Sequence, residues 1–246
     1  MPIFNDQDAR GREVAQGKAI ADAAVTEGAQ YVIFNTPPHA AQVSGGKYQK
    51  VDHFDAKAEV GGYMRSLPTI CSIFYAPGWS MQNFNQHMSP RRMPDGALAI
   101  VNIISPQTKL ALIDPYEDTG KFLGPVLADP ETYIGKTLSA ATRHYSYEKA
   151  LQIMSKVWRV PIEYRVVSKD VYASNVGPVF GERLVQMMLY LEECGYYSPR
   201  GMEEVDLTAS ITTQKLTTFE EYLARNPVDV DINIHIYIER RRTSRP

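Results

Sequence analysis

In the stretch HFDAKAEV, His53 and Lys57 stand four residues apart, the spacing that brings two side chains onto one face of a helix. An imidazole exchanges protons near neutral pH, and an ammonium placed beside it adds a fixed positive charge. The pair therefore has two readings, the working residues of a redox site or two polar groups at the mouth of a helix. Cysteine chemistry finds less support. Cys71 and Cys194 lie far apart, with no C-x-x-C and no Cys/His grouping at metal spacing, so neither a disulfide framework nor a zinc site is indicated. Cys194 closes an apolar stretch with no adjacent His or cation to activate it, and reads as a buried thiol.

These groups need a scaffold, and 246 residues with 44% hydrophobic and 22% charged side chains have the balance of a globular protein with a full core. A net charge of −2 and a pI near 6.2 give no general electrostatic reason to bind nucleic acid or an anionic membrane. There is no apolar run of membrane-spanning length, and Asp and Arg stand near the N-terminus where a secretion signal places its apolar core. A reduced cytosolic or nuclear setting is the expectation.

Apolar residues at helical spacing over 11–27, closed by Gly28, predict a helix with one buried face. The run Tyr31 to Phe34, bounded by Gly28 and Pro37, predicts a strand buried on both faces. A second helix follows at about 55–66, ended by Leu67-Pro68, and a second buried strand at 69–75. This repeated helix-strand order points to an α/β fold with a doubly wound, mostly parallel sheet. Ligands in such sheets bind beyond the carboxyl ends of the strands, here around Asn35-Thr36 and Ala76 to Asn83.

Beyond residue 90 the elements shorten. Strands are expected in MPDGALAIVNII, TKLALID and 161–167, with one more in TLSAATRHY leading into a helix that starts near Ser146. Helices are expected at 118–128 and 179–194, and a last one in LTTFEEYLARN, where Thr218 and Glu221 form a capping-box pattern. Most of Tyr145, Tyr147, Tyr190, Tyr196, Tyr197 and Trp158 are expected in the core, one or two lining a cleft. The tail PVDVDINIHIYIERRRTSRP alternates Val and Ile with mainly polar residues, the period of one amphipathic strand. The expected division is 1–90, 91–226 interleaved with the first part, and the atypical tail 227–246.

Six blocks, EVAQGKAIADAA, HFDAKAEVGGYMRSL, PGWSMQNF, PDGALAI, DTGKFLGPVL and LTTFEEYLARN, in this order and spacing resemble the NmrA-like family of atypical extended short-chain dehydrogenases, fungal members most of all. The resemblance implies a partial Rossmann-like NAD(P)-binding sheet with a smaller C-terminal α+β substrate region. The implied cofactor is NADP or NAD. Such proteins begin with a strand and a G-x-x-G-x-x-G turn whose backbone cradles the pyrophosphate. No such turn occurs in this sequence, which starts where a family member would be leaving its fourth strand; the glycine-rich part is expected to be missing and the strand at 30–36 to have an unpaired edge.

The resemblance also assigns roles. Lys57 would bind the nicotinamide ribose, and His53 takes the place of the usual tyrosine as candidate proton donor. Thr36 stands near the position of a substrate-orienting serine, although Pro37-Pro38 departs from the pattern. Ser80, Met81, Gln82 and Asn83 would lie against the nicotinamide end. Two functions follow as expectations. One is an NAD(P)H-dependent oxidoreductase of fungal small-molecule metabolism, impaired by the missing loop. The other is a non-catalytic redox-sensing regulator that binds a GATA-type transcription factor.

Overall fold

The computed structural model describes residues 8–86, 88–174, 178–197 and 201–227. In chain order α1 (Ala9–Thr26), β1 (Tyr31–Asn35), α2 (Ala40–Val43), α3 (Asp52–Ser66) and β2 (Cys71–Pro77) form the first part. There follow β3 (Trp79–Ser80), a 3-10 turn (Met81–Asn85), β4 (Arg91–Arg92), β5 (Leu98–Asn102), β6 (Lys109–Ile113) and α4 (Pro115–Ala128). The rest is β7 (Thr137–Ala140), β8 (Arg143–Ser146), α5 (Tyr147–Trp158), β9 (Ile162–Val166), α6 (Lys169–Ser174), α7 (Pro178–Cys194), α8 (Gly201–Ser210) and α9 (Phe219–Arg225).

Three small sheets carry these strands. The first runs β1-β2-β7, all parallel, with Tyr31 opposite Cys71 and Asn35 opposite Tyr75. The second runs β3-β6-β8 and the third β4-β5-β9, both mixed. One backbone serves the first two sheets, because β2 passes through Gly78 directly into β3. Only glycine fits there: a Cβ on residue 78 would lie 2.3 Å from the Ala111 carbonyl oxygen.

Helices cover both faces of the first sheet, which makes it doubly wound. On one face α1 and α3 enclose Ala21, Val60, Met64 and Phe74; on the other α4 brings Phe122 and Val126 onto Ile73, Tyr75 and Leu138. The two helices of the first face meet closely at Gly17, where an added Cβ would come within 2.5 Å of Val60. A larger cluster under α5, α7 and α9 joins Phe54, Trp79 and Met81 to Tyr147, Tyr190 and Phe219.

Local chemistry sets the boundaries. Gly28 ends α1 at φ +70, and Leu67, extended before Pro68, ends α3. Ser146 caps α5 through the Lys149 N–H, and the capping box at Thr218 and Glu221 forms as expected. Helix α4 starts at Pro115 rather than 118, because the Asp114 side chain accepts the Tyr116 N–H and proline suits the first helical turn.

Three expectations need correction. The strand at 31–34 is half-buried rather than buried on both faces, since β1 ends the sheet and pairs with β2 alone among the described residues. TLSAATRHY is two strands, not one: β7 joins β2 and β8 joins β6, with the break at Ala141-Thr142. The short helices α2 and α6 and the whole of α8 were not expected, because none has enough apolar periodicity to signal itself. The expected tail strand beyond Pro227 lies outside the described residues.

Candidate functional site

Helix α3 carries the HFDAK stretch on its first two turns, at the carboxyl ends of β1 and β2. Its outer face is charged and meets α1. Lys57 Nζ donates to the Glu13 carboxylate of α1, and Arg10 one turn earlier donates from Nε to Glu59 at 3.0 Å. Arg10 also reaches Asp55 at 3.5 Å and Asp52 at 4.0 Å, while Arg183 of α7 holds Asp52 at 2.8 Å. The ammonium of Lys57 has three N–H groups, of which Glu13 takes one, and the side chain is 34% exposed. It is free to bind further hydroxyl oxygens.

His53 does not cap the helix; the N-cap is Val51, without a side-chain bond. Its ring stands edge-on to Phe54 at 4.9 Å and is exposed to solvent. Desolvation by its crowded surroundings, then the like charges of Lys57 and Arg183, push its pKa down from 6.5 to about 4. Because the ring is exposed, the direction rests most securely on the two cations. At neutral pH the imidazole is uncharged.

Thr36 follows β1 directly and is buried. Its hydroxyl lies 3.2 Å from the carbonyls of Pro37 and Lys57, so its proton is committed to main chain. It thereby ties the end of β1 to the turn of α3 that carries the lysine.

Ser80 to Asn83 form a closed turn at the end of β3. The Ser80 hydroxyl donates to Gln82 Oε1 and accepts the Gln82 N–H at 3.3 Å, while Gln82 Nε2 donates to Asp114 at 2.9 Å. Met81 is fully buried, and the Asn83 carbonyl accepts the N–H groups of Gln86 and Met88. Aromatic rings stand between this turn and α3: Tyr196 lies 5.3 Å from Phe54 and 6.4 Å from Trp79, centroid to centroid. The structure thus joins His53, Lys57 and Thr36 through α3 and β1, and sets Ser80 to Asn83 across an aromatic wall. Tyr196 donates to the Pro77 carbonyl at 3.2 Å, and Tyr197 Oη lies 3.0 Å from the Ala76 carbonyl, which pins the end of α7 to β2.

Asp55 was not singled out from the sequence, although it lies between His53 and Lys57. It is fully buried, and its carboxylate takes His39 Nδ1 at 3.0 Å, the Ala41 N–H at 3.2 Å and Arg10 at 3.5 Å. His39 Nδ1 also accepts the Gln42 N–H at 3.4 Å, which caps α2. The available signal was an aspartate among the buried positions of an otherwise apolar helix face. Cys194 is half-buried, and burial followed by the charge of Glu193 raises its pKa, in keeping with an unreactive thiol. Among the described residues no cluster of metal-ligating side chains occurs, and no helix is long and apolar enough to cross a membrane.

Comparison with known proteins bears on the fold and the family. The chain is 24% identical over 228 residues to an NmrA-like family domain-containing protein of Dictyostelium discoideum, covering 91% of this chain and 73% of that protein. Among solved structures it resembles Nmra, described as a negative transcriptional regulator, with a TM-score of 0.74 and 22% identity over 93% of this chain and 74% of that one. The same regulator in complex with NADP matches at 0.70 with 22% identity, over 90% and 72%. An NADPH-dependent quinone oxidoreductase of Escherichia coli follows at 0.60 with 13% identity, over 90% and 80%. The solved structures share this Rossmann-like α/β fold. The model of the NmrA-like family matches residues 3–223, and the chain belongs to that family.

Proposed function

We propose that this chain is a dinucleotide-responsive regulator of the NmrA type that binds NADP or NAD without turning it over. The observation that carries the reading is the state of the HFDAK helix: a lysine with N–H groups to spare, and four residues before it an imidazole that is uncharged at neutral pH. The lysine suits a ribose. The histidine does not suit proton donation, because its pKa is lowered from 6.5 in a setting that includes the cations Lys57 and Arg183, which leaves the imidazole largely uncharged at pH 7.

The residues present fit the ribose end of such a cofactor. Lys57 would donate to ribose hydroxyls in competition with Glu13, Thr36 would hold the lysine's turn against β1, and Ser80 to Asn83 would close the nicotinamide end with main-chain groups. The cofactor, when bound, supplies a hydride donor or acceptor whose redox state a partner protein could read. A transcription factor is the partner class favoured by the likeness to Nmra, and a GATA-type factor remains the finer proposal. A second reading, an NAD(P)H-dependent oxidoreductase with His53 as weak acid and Thr36 orienting the substrate, draws on the likeness to the quinone oxidoreductase.

Titration of NADPH followed by tryptophan fluorescence tests the first reading, alongside NADPH consumption with a panel of quinones. Saturable binding is expected, with Lys57→Met weakening it about tenfold or more. Consumption above the protein-free rate would overturn the reading in favour of the enzyme. Binding unchanged in Lys57→Met would remove the lysine from the site.

A further inference from the structure

A groove of about 570 Å³ lies between α5 and β9 and shares no residue with the site around Lys57. Leu151 and Gln152 line it from the helix, Ile162 and Tyr164 from the strand, and Pro106 and Pro161 complete it. One of its walls is thus the last strand of a sheet, since β9 pairs with β5 alone among the described residues.

The ladder fixes which main-chain groups of β9 face outward. The Val167 N–H donates to the Asn102 carbonyl, so 163, 165 and 167 turn their polar groups to β5, and Ile162, Tyr164 and Val166 turn theirs away from it. Ser155 Oγ of α5 accepts the Ile162 N–H at 3.0 Å. Among the described residues Tyr164 and Val166 keep an outward row of N–H and C=O groups, the template for a further strand. Val166 is apolar and 57% exposed, and β9 contains neither the proline nor the lysine that commonly guards such an edge. A strand added there has one face against α5 and the other in solvent, so it must alternate apolar and polar side chains.

One segment of this chain has that sequence. Val228, Val230, Ile232, Ile234, Ile236 and Ile238 alternate with Asp, Asn, His and Tyr. The segment lies outside the described residues, but the chain enters it from Pro227, directly after α9, and α9 packs on α5. Crossing the width of α5, about 10–12 Å, takes about four extended residues and leaves Ile232 to Ile238 for pairing.

We propose that the groove is the docking site of residues 232–238 of the same chain, which add to the open edge of β9 as a fourth strand of the β4-β5-β9 sheet. The isoleucines lie on Leu151 and Tyr164, and Asn233, His235 and Tyr237 face solvent. Docking hides an edge through which copies of the chain would otherwise pair.

Hydrogen exchange of the full chain, followed by mass spectrometry, tests the assignment. Amides of 232–238 and those of Tyr164 and Val166 are expected to exchange about tenfold or more slowly than in an unstructured peptide of the same sequence. Ile234→Asp combined with Ile236→Asp should release both segments together and leave β2 unchanged. Val166→Pro, which removes an outward N–H that β5 does not use, should release 232–238 in the same way. Exchange of 232–238 at the unstructured rate in the parent chain, or protection that either variant leaves intact, would overturn the proposal. So would protection that is lost on dilution together with a dimer in light scattering, because it would assign the segment to a second copy.

Discussion

Asp55 and Asp118 are both fully buried aspartates on helices that flank the first sheet, yet they are held in different ways. Asp118 is fixed by neutral donors and one lysine: Thr217 N–H at 3.1 Å, Thr217 Oγ1 at 3.0 Å, Thr142 Oγ1 at 3.3 Å and Lys121 at 2.8 Å. It knots α4 to the break between β7 and β8 and to the segment before α9. Asp55 has His39, one N–H and the distant edge of Arg10, and Arg10 is shared with Asp52 and Glu59. A buried carboxylate is tolerated only where donors replace its water. Asp118 has dedicated partners, whereas Asp55 borrows from a network that includes the candidate site.

Substitutions separate the two. Asp118→Ala should cost about 3–5 kcal/mol, since a half-buried lysine and several buried donors lose their acceptor together; a lower urea midpoint at unchanged slope would report it. Asp55→Ala should cost less, about 1–3 kcal/mol, because Arg10 keeps two other carboxylates and His39 reaches solvent. If the second loss exceeds the first, the distinction between dedicated and borrowed partners is wrong. Thr218→Ala removes the capping box beside the Asp118 knot and should cost about 1 kcal/mol. A larger loss would mean that the knot and the cap form one cooperative unit.

The smallest effect is confined to acid. The folded-state pKa of the solvent-exposed His53 is lowered below 6.5, by its surroundings and then by Lys57 and Arg183, so the unfolded form binds more protons just below that pH. Its neutral state therefore contributes stability that is complete above pH 6.5 and lost as pH falls toward 4. His53→Asn should flatten stability across that window and change nothing at pH 8, as denaturant midpoints measured at both ends would show. An unchanged slope would return the ring to ordinary solvent.

The sequence carried the fold where a local pattern and the tertiary contact agree. The α3 helix is legible because Leu67-Pro68 ends it, and α5 because Ser146 caps it. The short helices α2 and α6 depend on the chain around them and left little trace. The site was half legible. The spacing of His53 and Lys57 predicts a shared face, but not that Glu13 and Arg10 would come from a helix some 45 residues earlier to meet it. Asp55 left one trace, an aspartate among the apolar positions of α3, but the donors that allow its burial come from elsewhere in the chain.

The shared backbone at Gly78 has a mechanical consequence. The first and second sheets are not two plates joined by a flexible strap; they hang on one continuous girder, and at its midpoint the chain lies too close to Ala111 for any side chain. A cleft bounded by both sheets cannot widen by bending there. Any opening that admits a ligand must come from the elements resting on the girder, α7 with its two tyrosine struts at Pro77 and Ala76 first among them.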